Sequence, residues 1–190
     1  MIKKILMIIC LYVLSCSGYT QAINESASSE SAIQAVNNFN VDSYMGKWYE
    51  IARLPTYFAR HCQAPIIAEF SRDNDDIQVK NSCATVSGDK ETSDSVIYLN
   101  EANLAGDGRL VGTAMPSWLR WIHLGRHDYW ILYNDAEYAL VATPDRKYLW
   151  LFARVESPPL KDVQRILNIA KKQGIDMSTL IFDYPSYYME

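Results

Sequence analysis

All-β with one C-terminal helix, the strands closing into an eight-stranded antiparallel up-and-down β-barrel, is the fold class this sequence predicts. Three observations lead there. Short runs rich in β-branched and aromatic residues recur through the middle of the chain, each parted from the next by a turn-like cluster. One stretch with helical spacing of apolar residues follows the last run. Each run lies next to its sequence neighbour, so an open meander would expose two bare edges, and closure removes them.

The elements follow in chain order. Residues 1–15, MIKKILMIICLYVLS, set Lys3 and Lys4 before an apolar run from Ile5 to Leu14. This is the pattern of a signal peptide, and the run is too short to cross a bilayer as a helix. Export makes disulfides available. The exit offers two routes. VLSC, residues 13–16, resembles the lipobox of bacterial lipoproteins, in which the cysteine becomes the acylated N-terminus, so Cys16 is the expected lipidation site. Plain secretion with cleavage after Ala22, at the end of TQA, is the alternative. Residues 16–38 then read as a lipidated N-terminus and a small, Ser-rich, flexible tether, ahead of a domain over 39–190.

Charge and cysteine usage exclude some classes. The chain carries 18 Lys and Arg against 22 Asp and Glu; without Lys3 and Lys4 this becomes 16 against 22, a net charge of −6. No basic stripe is present, which argues against a nucleic-acid partner. With Cys10 in the leader and Cys16 at its exit, Cys62 and Cys83 remain as an even pair, expected to form one disulfide. Its loop of about twenty residues contributes on the order of 3 kcal/mol in the chain-entropy picture. His61 beside Cys62 has no second ligand at a metal spacing, so neither metal nor cofactor is expected.

The first strand is written YMGKWYEIARLP, residues 44–55. In an extended run Trp48, Glu50 and Ala52 share one face, while Tyr49, Ile51 and Arg53 share the other. Both faces carry apolar bulk, which suits a strand covered on both sides. The Trp48 face narrows to alanine, as a wall does when it must leave room. APIIAEFSR (64–72) and DIQVKNSCATV (76–86) flank DNDD and form a hairpin. SDSVIYLNEANL (93–104) and RLVGTAM (109–115) flank Gly106 and Gly108 and form a second. DYWILYN (128–134), EYALVAT (137–143) and KYLWLFARV (147–155) complete the set, joined by DA and PDR. The helix is expected over about 158–173, with Ser157 as cap, prolines in the first turn and Gly174 at its end. Val163, Ile166, Leu167 and Ala170 form one apolar stripe, fit to dock on the outside of the barrel.

NFNVDSYMGKWYEIARLP resembles the first signature of the lipocalins, a Gly-x-Trp-Tyr opening the first strand. YWILYNDAEYALV resembles the second, with Asp135 in the turn and Tyr138 after it, and YLWLFAR resembles the third, ending on Arg154. The three occur in the family's order. The likeness runs from about residue 39 to 183, with wording shared with bacterial outer-membrane lipocalins and with apolipoprotein D. It implies that Trp48 plugs the closed end of a lipocalin calyx, that Arg154 packs across it, and that Gly46 permits the bend beneath. It also implies that Trp150 faces a ligand pocket.

Alternation then supplies the expected lining: Ala52 in the first strand, Trp150 and Phe152 in the last, and Val111, Thr113 and Met115 in the fifth. The sixth strand offers Trp130 or Leu132. Glu50, inside the barrel, needs a partner, and a structural role is expected for it. Such a barrel either holds one small ligand or is filled by its own side chains. The connection after the first strand brings Tyr57, Phe58, Arg60 and His61 to the mouth. PSWLRWIHLGRHDY adds Trp118, Leu119, Trp121, Ile122 and Leu124 with Arg120, His123, Arg126 and His127. That rim suits an anionic lipid headgroup, a membrane surface, or simple cover for the barrel's end.

The expected pocket residues are thus Ala52, Tyr57, Met115, Trp118, Trp130, Trp150 and Phe152. The expected function is a membrane-anchored carrier of fatty acids, lysophospholipids or similar apolar ligands in the bacterial outer membrane, without catalysis; oligomeric state is not legible. A pigment or tetrapyrrole carrier and a barrel serving only as a scaffold for protein interaction are alternatives. An enzyme lacks a nucleophile elbow or metal spacing near His61, His123 and His127. A secreted or periplasmic protein is the alternative location.

Overall fold

The computed structural model describes residues 32–74, 76–98, 106–115, 119 and 125–184, all within one compact unit spanning Ser31–Glu190. The leader, Cys16, Trp118 and the rim residues Arg120, Trp121, Ile122, His123 and Leu124 lie outside the described residues. A short helix α1 (Val41–Tyr44) is capped by Asn40, whose side chain accepts from the Asp42 and Ser43 amides. Eight strands follow: β1 (Gly46–Arg53), β2 (Cys62–Asp73), β3 (Asp76–Thr85), β4 (Lys90–Tyr98), β5 (Arg109–Thr113), β6 (Arg126–Asn134), β7 (Tyr138–Ala142) and β8 (Leu149–Ala153). Each pairs antiparallel with its neighbour, and β1 pairs with both β2 and β8, so the sheet is a closed barrel.

β1 is shared unevenly. Gly46 to Tyr49 pair with β2, whereas Ala52 and Arg53 pair on that side with a two-residue strand β9 (Ile181–Phe182). β9 therefore takes over where β2 diverges toward the mouth. The closing helix α2 (Leu160–Lys172) starts one residue after Pro159, which contributes no side-chain cap. Ser157 is therefore not the cap, and both prolines precede the helix rather than occupy its first turn. Gly174 adopts φ +76°, and the Ile175 amide returns to the Ala170 carbonyl, ending the helix.

Two apolar clusters lie on opposite faces of the sheet. Trp48, Phe70, Ile77, Val79, Ile97, Leu110, Tyr129, Ile131, Val141 and Phe152 pack inside the barrel. Ile51, Ala52, Leu140, Leu149 and Leu151 pack outside it against Val163, Ile166, Leu167 and Ala170 of α2. The expected stripe docks as anticipated. Ile33 joins this outer cluster. The Val36 amide donates to the Ile131 carbonyl (2.8 Å), Gly108 donates to the Val36 carbonyl (2.8 Å), and Gln34 and Gln173 exchange hydrogen bonds. The stretch expected as the end of a flexible tether is thus docked on the barrel from Ile33 onward.

Candidate functional site

The closed end is built from the first signature. Gly46 sits at φ +95°, a backbone state that L side chains rarely adopt, and a Cβ there would stand 3.4 Å from an Arg154 guanidinium nitrogen. The bend turns Trp48 inward, where it is fully buried and its indole N–H donates to the Tyr44 carbonyl (2.8 Å). The Arg154 guanidinium lies 3.6 Å from the Trp48 ring centroid. It donates to three carbonyls, of Lys47 (2.9 Å), Ser43 (2.8 Å) and Met45 (2.9 Å). Above the plug the Tyr44 and Tyr129 hydroxyls bond at 2.8 Å, and burial pushes both phenols well above their ordinary value. Asp135 closes the β6–β7 turn by accepting from the Glu137 and Tyr138 amides and the Tyr133 hydroxyl.

Above this plug the barrel encloses a cavity of about 330 Å³, at the lower end of the roughly 300–1,000 Å³ typical of small-molecule sites. One side is aromatic, made by Tyr129, Trp150 and Phe152 with Phe70. The facing β3–β4 wall is polar, with Asn81, Ser93 and Ser95 beside Val79 and Ile97. Thr56, Phe58, Ala114 and His127 stand toward the mouth. His127 lies over Gly112, where a Cβ would meet its Nε2 at 2.5 Å, so only glycine leaves that ring its place. Burial holds the His127 imidazole below its usual pKa, opposed by its hydrogen bond with the Gly125 backbone and the Asp128 charge.

Glu50 reaches this cavity from β1 and is tied to an ion cluster. Arg53 donates to Glu50 Oε1 (2.9 Å), to Asp183 Oδ1, and to the Ala59 carbonyl (3.5 Å). One guanidinium therefore serves two carboxyls away from water. Burial, reinforced by the Asp183 charge and only partly offset by Arg53, pushes the Glu50 carboxyl up to about 8. Burial also raises Asp183. The cluster joins β1, the segment after β9, and the Phe58–His61 turn at the mouth.

The placement of the expected residues divides by strand. Trp150 and Phe152 line the cavity, and Glu50 does so too. Ala52 does not: a bulge between Glu50 and Ala52 shifts β1 by one residue, so Ala52 packs with the outer cluster. The same bulge puts Arg53 on the Glu50 side. In β5 the inward residues are Leu110, Gly112 and Ala114, not Val111, Thr113 and Met115. Gly112 pairs with His127 and Leu110 with Tyr129, both of which line the cavity. Thr113 instead bonds the Gly125 carbonyl, and Met115 packs beside Gly125. In β6 Trp130 and Leu132 alternate onto the α2 side, and a second bulge after Ile131 brings Tyr133 there too. Tyr57 is 79 % exposed at the mouth, under Arg60, while its neighbours Thr56 and Phe58 line the cavity. Cys62 and Cys83 form the expected disulfide, with Cα atoms 5.5 Å apart.

Sequence reasoning missed Asn81, Ser93, Ser95, Tyr129 and the inward side of His127. The β3–β4 residues were findable, because Val79 and Asn81, or Ser93 and Ser95, share a face at period two. For β6 only the pairing with β5 settles the parity.

Comparison with known proteins agrees with this architecture. Residues 39–185 match the family described as a Lipocalin-like domain. The outer membrane lipoprotein Blc of Vibrio cholerae is 27 % identical over 177 residues, covering 90 % of this chain and 96 % of the relative. Apolipoprotein D of Macaca fascicularis is 29 % identical over 157 residues, covering 75 % of each chain. Among solved structures, insecticyanin from the tobacco hornworm Manduca sexta superposes with a TM-score of 0.61 at 23 % identity, covering 80 % of this chain and 84 % of its own. With its plugged barrel, its signatures in order and a family match across most of its length, this chain belongs to the lipocalins.

Proposed function

We propose that this protein is a non-catalytic carrier of acyl lipids, fatty acids, lysophospholipids or similar apolar ligands, anchored in the bacterial outer membrane through Cys16. The cavity carries the reading. A space walled by Trp150, Phe152, Phe70 and Tyr129 and open beside Phe58 suits a slender apolar ligand. The lipobox-like VLSC supports the anchor, as does the likeness to proteins named outer membrane lipoproteins.

Native mass spectrometry with lipid extraction on the protein from a bacterial host tests this. A co-purified acyl lipid is expected, and Trp150→Ala should weaken binding of a fluorescent fatty acid by about tenfold, the cost of losing one buried aromatic contact. A protein that is empty and also ignores added lipids overturns the carrier reading.

A further inference from the structure

The cavity's charge is unusual for a site that would hold a lipid anion. Among the described residues lining it there is no Lys or Arg; the ionisable groups are Glu50, Asp94, His127 and Tyr129. Arg53, on the same strand as Glu50, is already engaged by Glu50 and Asp183. Glu50 is only 6 % exposed yet lines the cavity, with Oε1 taken by Arg53. Across from it, Asn81 donates to Ser93 (3.5 Å), with Ser95 alongside and Asp94 between the two serines, a polar wall able to give and accept hydrogen bonds.

We propose that the cavity selects an uncharged, hydroxyl-bearing lipid over a lipid anion of equal chain length, with Glu50 as the discriminating residue. This rests on the carrier reading above and narrows its ligand class. A carboxylate drawn inside would give up its water with no Lys or Arg among the described lining residues to meet it, and it would face Glu50. A hydroxyl placed there finds a carboxyl, an amide and two serines, and it carries no charge to desolvate. Trp150 and Phe152 would meanwhile hold its chain.

The test is displacement of the uncharged probe N-phenyl-1-naphthylamine from the full-length chain at pH 7, by 1-dodecanol or by dodecanoate. Dodecanol is expected to displace at a concentration about tenfold lower, because the anion pays desolvation without a partner. At pH 9, where Glu50 has lost its proton, Glu50→Gln should shrink the gap to about threefold or less by improving dodecanoate, since it removes the facing charge while Arg53 keeps Asp183. Equal displacement by the two lipids, or a preference for dodecanoate, overturns the selectivity and leaves the carrier standing; it is the result expected if ligands enter tail first and leave their heads at the rim. A chain that binds neither probe nor lipid overturns both.

If Glu50→Gln does not fold, the unmutated chain decides. Between pH 7 and pH 9 dodecanoate should weaken while dodecanol holds. The groups facing Glu50 are Arg53 on its own strand, Asp183 after β9, and Tyr129 on β6, with His127 farther along the same cavity. Burial keeps Tyr129 protonated and His127 neutral through this range, leaving the Glu50 carboxyl, pushed up to about 8, to change. Parallel curves for both lipids overturn the proposal.

Discussion

Arg154 shows how one side chain holds an end of the barrel shut. Its plane lies on Trp48 while its N–H groups reach three carbonyls running from the end of α1 to the start of β1. A lysine keeps the charge but has neither the plane nor the fork. Arg154→Lys is therefore expected to cost about 1–3 kcal/mol, read as a lower urea midpoint at unchanged slope. A loss below about 0.5 kcal/mol, the range of an ordinary surface change, would show the stack to be ornamental. Glu50 acts in the opposite sense. Its folded carboxyl titrates near 8 rather than its ordinary 4.5, so across that window the native state keeps a proton the unfolded chain has lost. Stability attributable to Glu50 thus falls as pH rises from about 4.5 to about 8. The urea midpoint should drop between pH 5 and pH 8.5, and Glu50→Gln should flatten that drop. An equal drop in both proteins would assign the slope to other groups.

The β2–β3 hairpin is stapled where it meets the mouth. Cys62 opens β2 immediately after the Phe58–His61 turn and bonds Cys83 on the neighbouring strand, 21 residues away. Replacing both with serine is expected to cost about 3 kcal/mol. Reductant should lower the thermal midpoint of the unmutated protein to that of the double-serine variant, and a midpoint indifferent to reduction would contradict this. The strands themselves were legible, since period-two runs, turn clusters and the Val163–Ala170 stripe are local signals. Which face looked inward was legible only where no bulge intervened. Trp150 and Phe152 follow regular alternation in β8, whereas a single extra residue in β1 carries Ala52 outside and Arg53 inside. Trp130 and Tyr129 are both large and aromatic, so neither size nor polarity told which of them faces the cavity. The partner of Arg53, Asp183, lies so far along the chain that no local pattern announces it.

In the closed ring β1 has three neighbouring strands: β8 on one side, and β2 along Gly46–Tyr49 followed by β9 at Ala52 and Arg53 on the other. In the proposed membrane-anchored carrier, attachment rests on Cys16. Cys16→Ser is expected to move the protein from the membrane to the soluble fraction after cell lysis; if it stays with the membrane, the acyl anchor is wrong and attachment lies elsewhere in the chain. The ring also sets a timetable. β1 is synthesised first among the strands, yet its partners β8 and β9, and the Asp183 that meets Arg53, are synthesised long after it. A ribosome or export channel delivering this chain from its N-terminus releases Trp48 well before the Arg154 that stacks on it and Ile51 well before the α2 stripe of its cluster, and loop closure over so long a span is slow. The barrel can be started early but finished only late, so an escort that shields the leading strand during delivery would act in that interval and have nothing left to hold once Arg53 finds Asp183.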